Sequence, residues 1–174
     1  FDGVDASMMV HGSSRRTVLK HFLGLERLNF TFFGKASHAS AYPEEGINAL
    51  DAVILLFNSI GLLRQQSRSD VRIHGIITDG GRKPNIIPER AAASFYVRAN
   101  DLKELASVKQ RVINCANGAA TATGCTLEVS EGGDLNAPMK INMAFIEVYR
   151  SALKALGLKE DIQPPEKNVG SSDI

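Results

Sequence analysis

GKASHASAYPEEGINAL, residues 34–50, joins two hydrophobic periods. Before Gly34, Leu28, Phe30 and Phe32 alternate with Asn29, Thr31 and Phe33, the two-residue period of a half-buried strand. After it, Leu50, Val53, Ile54, Phe57 and Ile60 recur at spacings of three and four. That stripe predicts a helix from about Glu45 to Gln65, with Pro43 at its entrance and Asp51 and Asn58 off the apolar face. Between the two periods, Ala36, Ser37, Ala39, Ser40 and Ala41 surround His38. These side chains are too small to cover an imidazole, so His38 is expected to face something outside its own core.

Polar residues 67–70 end the helix. Val71, Ile73 and Ile77 then alternate with Arg72, His74 and Ile76, a second strand with Gly75 as its expected bulge. Asp79-Gly80-Gly81 is a turn signal, followed by RKPNIIP at 82–88. Pro84 and Pro88 bias Lys83 and Ile87 towards extended geometry, so Asn85 is an amide on a short, stiff loop. In the third strand Ala91, Ala93, Phe95 and Val97 share one face, and Ser94, Tyr96 and Arg98 the other.

Asp101 and Glu104 form a D-x-x-E capping pattern before a second stripe, Leu102, Leu105, Val108, Val112 and Ala116. Gly124 is placed to stop that helix, and a fourth strand at 126–130 turns Leu127 and Val129 inward. From Leu25 to Ser130 the order is strand-helix-strand-strand-helix-strand. This is the ferredoxin-like βαββαβ unit of an α+β protein, a four-stranded antiparallel sheet with both helices on one face. Residues 4–10 read as a buried strand ending at His11. Pro138 is expected to open a third helix in which Ile141, Phe145, Val148 and Ala152 share a face, capped by Gly157. The expected division is 1–24, 25–133 and 134–174, with the outer pieces belonging to a neighbouring domain. A chain that starts within a strand and stops at GSSDI reads as a piece of a longer polypeptide.

A net charge of +1 excludes the strongly basic footprint of a nucleic-acid binder. No apolar run approaches the roughly 18 residues needed to span a bilayer. FDGVDASMMVHG carries acids where a secretory signal needs positive charge. Cys115 and Cys125 are too few and too poorly spaced for a zinc site or a disulfide framework, which fits buried thiols in a cytoplasmic protein.

A ferredoxin-like unit hosts many functions, so the residues must decide. An RNA-recognition module needs aromatics on its first and third strands; Tyr96 and Phe33 qualify, but the basic, glycine-containing third-strand pattern is missing. A metal-carrying module lacks Cys-x-x-Cys. A dimerising accessory domain of an enzyme accounts for both the ragged ends and the polar residues on stiff loops. A free-standing, non-catalytic ferredoxin-like module, dimerising or binding a small ligand, is the alternative.

GKASHASAYPEEGINALDAV, followed some way on by KPNIIPERAAASFYVRA, resembles the dimerisation domain of the zinc metallopeptidase and amidohydrolase family of aminoacylase, carboxypeptidase G and the auxin-conjugate hydrolases (peptidase family M-twenty). The likeness is strongest to aminoacylase-1-like protein 2 dipeptidases and aminobenzoyl-glutamate hydrolases, and it covers essentially the whole chain. The spacing from His38 to Pro43 is one residue longer than in some members.

The resemblance implies a lid-like dimerisation domain inserted in an α/β catalytic domain, a homodimer, and hydrolysis of an amide in a small dipeptide or N-acyl amino acid. It makes His38 the catalytic residue that reaches into the partner's active site to stabilise the oxyanion. Asn85 and Arg98 become substrate-binding residues, with Arg98 on the terminal carboxylate, and His11 a metal ligand. Residues 170–173 would lie near the substrate. The other ligands for divalent Zn or Mn would lie outside these 174 residues, so the chain alone is expected to bind no catalytic metal and to be inactive. His21 and His74 are read as ordinary surface histidines.

Overall fold

A computed structural model describes residues 2, 3, 12, 16–18 and 21–161. Its elements are β1 (Gly24–Phe33), α1 (Ala49–Gln65), β2 (Arg72–Asp79), β3 (Arg90–Ala99), α2 (Leu102–Thr123), β4 (Thr126–Glu131) and α3 (Met143–Ala155). The strands form one antiparallel sheet in the order β2-β3-β1-β4. With α1 and α2 packed together across one face, this is the expected ferredoxin-like arrangement.

Alternation sets the core. Leu28, Phe30 and Phe32 of β1 and Phe95 and Val97 of β3 are fully buried under the helices. Phe95 packs edge-on to Phe30 (ring centroids 6.1 Å apart) and tilted against Phe57 (4.7 Å). Ala49, Ala52, Ala91, Ala93, Ala116 and Ala119 are also buried, and their small side chains let the helices lie close to the sheet. Lys109 of α2 bridges Glu26 on β1 (3.1 Å) and Glu131 on β4 (2.6 Å), supplying the counter-charge that the buried Glu26 requires.

The termini of the helices follow their caps. Asp101 accepts from the Glu104 N–H (2.8 Å), and Gly124 ends α2 in the left-handed region at φ 76°. Elsewhere the boundaries move. Pro43 opens a separate 3-10 turn, Pro43–Glu45, and α1 begins only at Ala49, where Asn48 accepts from the Leu50 N–H (3.0 Å). Between them Ile47 pairs in both directions with Lys35, so its backbone groups are not available to a helix. Likewise α3 starts at Met143 rather than Pro138, because Asn142 caps it and residues 136–139 run beside the start of β1.

Several apolar assignments also change. On α1 the inward residues are Ala49, Ala52, Val53, Leu56 and Ile60, with Leu50 and Phe57 at the margin, while Ile54 is exposed. Ile77, Leu102, Val129, Val148 and Ala152 are exposed too, and α3 buries Leu153 instead. Val129 lies on an edge strand and Leu102 on the first turn of α2, where the core does not reach. The irregularity in β2 lies between Ile77 and Asp79, not at Gly75. Gly75 instead makes room for Phe95, whose ring a Cβ would meet at 2.4 Å.

Candidate functional site

The 34–50 segment is held by backbone pairing rather than by a core of its own. Gly34 donates to Glu89 (2.8 Å), and Lys35 and Ile47 exchange bonds of 2.9 and 3.0 Å. A Cβ on Gly34 would stand 2.0 Å from the Ile47 oxygen. Gly34→Ala must therefore break that pair, and we expect a loss of about 1–3 kcal/mol, the scale of overpacking, read as a lower denaturant midpoint. An unchanged midpoint would mean the Lys35–Ile47 pair contributes little.

Beyond this neck the His38 and Asn85 loops are laced together. Ala39 donates to the Asn85 oxygen (3.0 Å), Ile87 donates to the Ser37 oxygen (3.0 Å), and His38 forms an antiparallel bridge with Ile86. The His38 carbonyl accepts from Ala41 (3.1 Å) and Tyr42 (3.0 Å), closing the turn that presents the ring. His38 is exposed, and so are the flanking Tyr42 and Ile86. Its Nδ1 receives a long contact from the Ser40 N–H (3.4 Å) and lies 3.2 Å from Ser40 Oγ. A backbone N–H can only donate, so the neutral ring carries its proton on Nε2 and presents it as a donor.

Asn85, also exposed, sits in the Lys83–Ile86 turn closed by Ile86 N–H to Lys83 O (3.2 Å). Asp79 anchors this loop by accepting from Gly81 (3.2 Å) and pairing with Arg90. The Gly81 N–H first, and then Arg90, hold its carboxyl below the usual carboxylate range. An open cleft of about 400 Å³ runs beside the two loops, between Ala39, Asn48 and Leu50 on one side and Arg82, Lys83 and Pro84 on the other.

Arg98 is elsewhere. In the β1–β3 register Phe33, where the His38 segment begins, faces Arg90, whereas Arg98 faces Leu25. Eight residues of strand separate Arg90 from Arg98, roughly 26 Å at ~3.3 Å per residue. His38 and Asn85 form one cluster, and Arg98 lies at the far end of the sheet.

There Arg98 belongs to a patch on the face away from the helices. Its guanidinium carbon is 5.9 Å from the Tyr96 ring centroid, that of Arg27 is 5.7 Å from it, and His74 lies 5.6 Å from the same ring. Arg98 Nε donates to His74 Nε2 at 3.3 Å. Sequence reasoning gave His74 no role; the contact depends on pairing β2 with β3 so that His74 faces Tyr96.

His11 and residues 170–173 lie outside the described residues. Among the described residues no group of three or more His, Cys, Asp or Glu side chains is arranged to hold a metal ion. No helix among them is long and apolar enough to cross a membrane.

Residues 23–123 match the family described as the peptidase dimerisation domain. The chain is 38% identical over 160 residues to the Xaa-Arg dipeptidase of Mus musculus, covering 91% of this chain and 37% of that protein. It is 32% identical over 130 residues to one chain of the p-aminobenzoyl-glutamate hydrolase of Escherichia coli, covering 74% of this chain and 27% of that protein. Among solved structures, it superposes on the aminobenzoyl-glutamate utilization protein of Klebsiella pneumoniae with a TM-score of 0.69 at 23% identity, over 87% of this chain and 39% of that one. A hydantoinase/carbamoylase family amidase of Burkholderia vietnamiensis gives 0.73 at 18%, over 90% and 37%. The chain thus spans less than two fifths of the length of the curated relatives it matches first. Both the match and the βαββαβ architecture it falls on place this chain in the M20 peptidase dimerisation-domain family.

Proposed function

We propose that this chain is the dimerising, substrate-binding lid, with flanking pieces of the catalytic domain, of an enzyme that hydrolyses an amide bond to an amino acid. The observation that carries this reading is the His38–Asn85 cluster: an exposed imidazole donor and an amide on two loops laced together, with no core of their own to serve. Several named relatives point the same way: a Xaa-Arg dipeptidase, a p-aminobenzoyl-glutamate hydrolase and an indole-3-acetyl-aspartic acid hydrolase. Each of those substrates joins an amide to an amino acid.

In this reading His38 Nε2–H donates to the carbonyl oxygen as it gains charge, and Asn85 orients the substrate beside it. Arg98 takes the carboxylate through its planar fork of donors. A dipeptide extends only about 7 Å, far less than the separation of His38 and Arg98 along one sheet. If both act on one substrate, one subunit supplies His38 and Asn85 and the other supplies Arg98. A divalent Zn or Mn, with His11 among its ligands, would supply Lewis-acid activation of water when bound in the whole enzyme.

The self-association surface we assign is the outer edge of β2 with the adjacent outer face of α1. The β2 edge is flanked by Ile76 and Ile77, which are 65% and 46% exposed, and α1 adds Ile54, Leu55 and Leu62. Arg64 of α1 donates to the Ile73 oxygen of β2 (2.8 Å), fixing the two surfaces side by side. The other edge, β4, exposes Thr126, Glu128 and Ser130 with a single large apolar residue, Val129, at 37%. An apolar strand edge is a template for pairing with another copy, and a two-fold axis makes such a pair self-complementary.

The test is a panel of Xaa-Arg dipeptides, p-aminobenzoyl-glutamate and N-acetyl amino acids offered to the full-length protein with and without Zn²⁺, Mn²⁺ or Co²⁺. We expect release of the free amino acid from at least one member, dependent on added metal. No release from any member under any metal would favour the non-catalytic module.

A further inference from the structure

We propose that His74 is a positioning residue for Arg98: its imidazole fixes the guanidinium in the orientation that receives the substrate carboxylate, and protonating it releases that grip. This rests on the reading of Arg98 given above and deepens it. Arginine has no acceptor, so the 3.3 Å contact requires an unprotonated Nε2 on His74, with the ring proton on Nδ1. Accepting from Nε holds one edge of the planar group and thereby sets the direction of the whole fork. Tyr96 supplies a second constraint, lying against His74 on one side and between Arg98 and Arg27.

The surroundings keep His74 neutral. It faces Arg98 and Tyr96 from β3, with Arg72 on its own strand paired opposite Arg98, Arg27 of β1 across Tyr96, and Arg64 of α1 nearby. Partial burial first, then Arg98 and Arg64, lower its pKa from the ordinary 6.5. Acidification through that lowered pKa turns an acceptor into a cation beside Arg98, and the two then repel. Arg98 should therefore bind carboxylate well above the pKa of His74 and poorly below it.

The experiment uses the full-length dimeric enzyme, with the most rapidly cleaved member of the panel above and the same compound bearing a carboxamide in place of its α-carboxylate. His74→Leu should raise KM for the acid about tenfold, the scale of one hydrogen bond to a charged group, with kcat little changed and KM for the carboxamide unaltered. His74→Gln, which retains an acceptor but cannot titrate, should restore most of the KM. It should also remove the rise in KM expected of the wild type on acidification. His74 is exposed, so neither variant opens the core. Equal effects of His74→Leu on acid and carboxamide, or none on either, would overturn the proposal. Arg98→Met separates the two claims. If it raises KM for the acid alone while His74→Leu does nothing, Arg98 binds carboxylate without His74. If Arg98→Met itself has no effect, the carboxylate role of Arg98 fails, and the role of His74 with it.

Discussion

His38→Ala in the full-length enzyme should lower kcat by about 10²–10³, the range for losing one oxyanion donor, while the dimer persists. The expectation of such a loss without unfolding follows from where His38 sits. Its ring is exposed, its turn is closed by backbone bonds from Ala41 and Tyr42 to its own carbonyl, and neither bond needs the imidazole. Truncation removes a donor and little packing. KM should change less than kcat, because the interaction strengthens only as charge develops on the oxygen. A kcat within a few-fold of wild type would remove His38 from the chemistry.

The second large effect should come from a residue far from any reacting atom. Ile77→Lys places a charge on the apolar edge of β2, and two-fold symmetry places it there twice. Lysine on an edge strand is a common device against strand pairing. The substitution should convert the dimer to monomer by sedimentation or light scattering, with the secondary structure retained, since Ile77 is already half exposed and outside the packed core. Turnover should then fall as far as in His38→Ala, because a monomer has no second lid to offer. A monomer that kept full activity would place the histidine within its own subunit's site. A variant that stayed dimeric would move the interface away from β2.

Much of the fold was legible because β1, β3 and α2 each carry a single hydrophobic period. The Leu28-Phe30-Phe32 and Ala91-Ala93-Phe95-Val97 series lie on the core face as their alternation requires. The errors fall where apolar residues do something other than fill this core. On α1, Ile54 mimicked a core position because the helix is apolar on two sides. The inward side is partly alanine, which a hydrophobic stripe undervalues, and the outward side carries Ile54, Leu55 and Leu62. The same holds for Ile77 on β2, which alternates in phase with Val71 and Ile73 but is 46% exposed. Two of the misread positions, Ile54 and Ile77, lie on the surface we assign to self-association; Leu102, Val129, Val148 and Ala152 do not.

The candidate site was legible as residue types but not as an arrangement. Proline-stiffened RKPNIIP and the small residues around His38 both marked exposed polar groups, and their lacing through Asn85, Ile86 and Ser37 follows from the fold. Nothing in the spacing of His38, Asn85 and Arg98 says that the first two meet while the third lies at the opposite end of β3. That separation comes from strand register. If all three act on one substrate, as we propose, two subunits must contribute.

Subunit mixing decides whether His38 works in its partner's active site, as we propose. His38→Ala and His11→Ala proteins, each expected to have little activity alone, are mixed and allowed to exchange subunits. In a mixed dimer the His38→Ala subunit keeps its His11 and receives an intact His38 from its partner, so one of the two sites is complete. Random exchange makes half the dimers mixed, and activity should rise to about a quarter of wild type. Activity that stays at the sum of the two parents after confirmed exchange would contradict action in trans and return His38 to its own subunit.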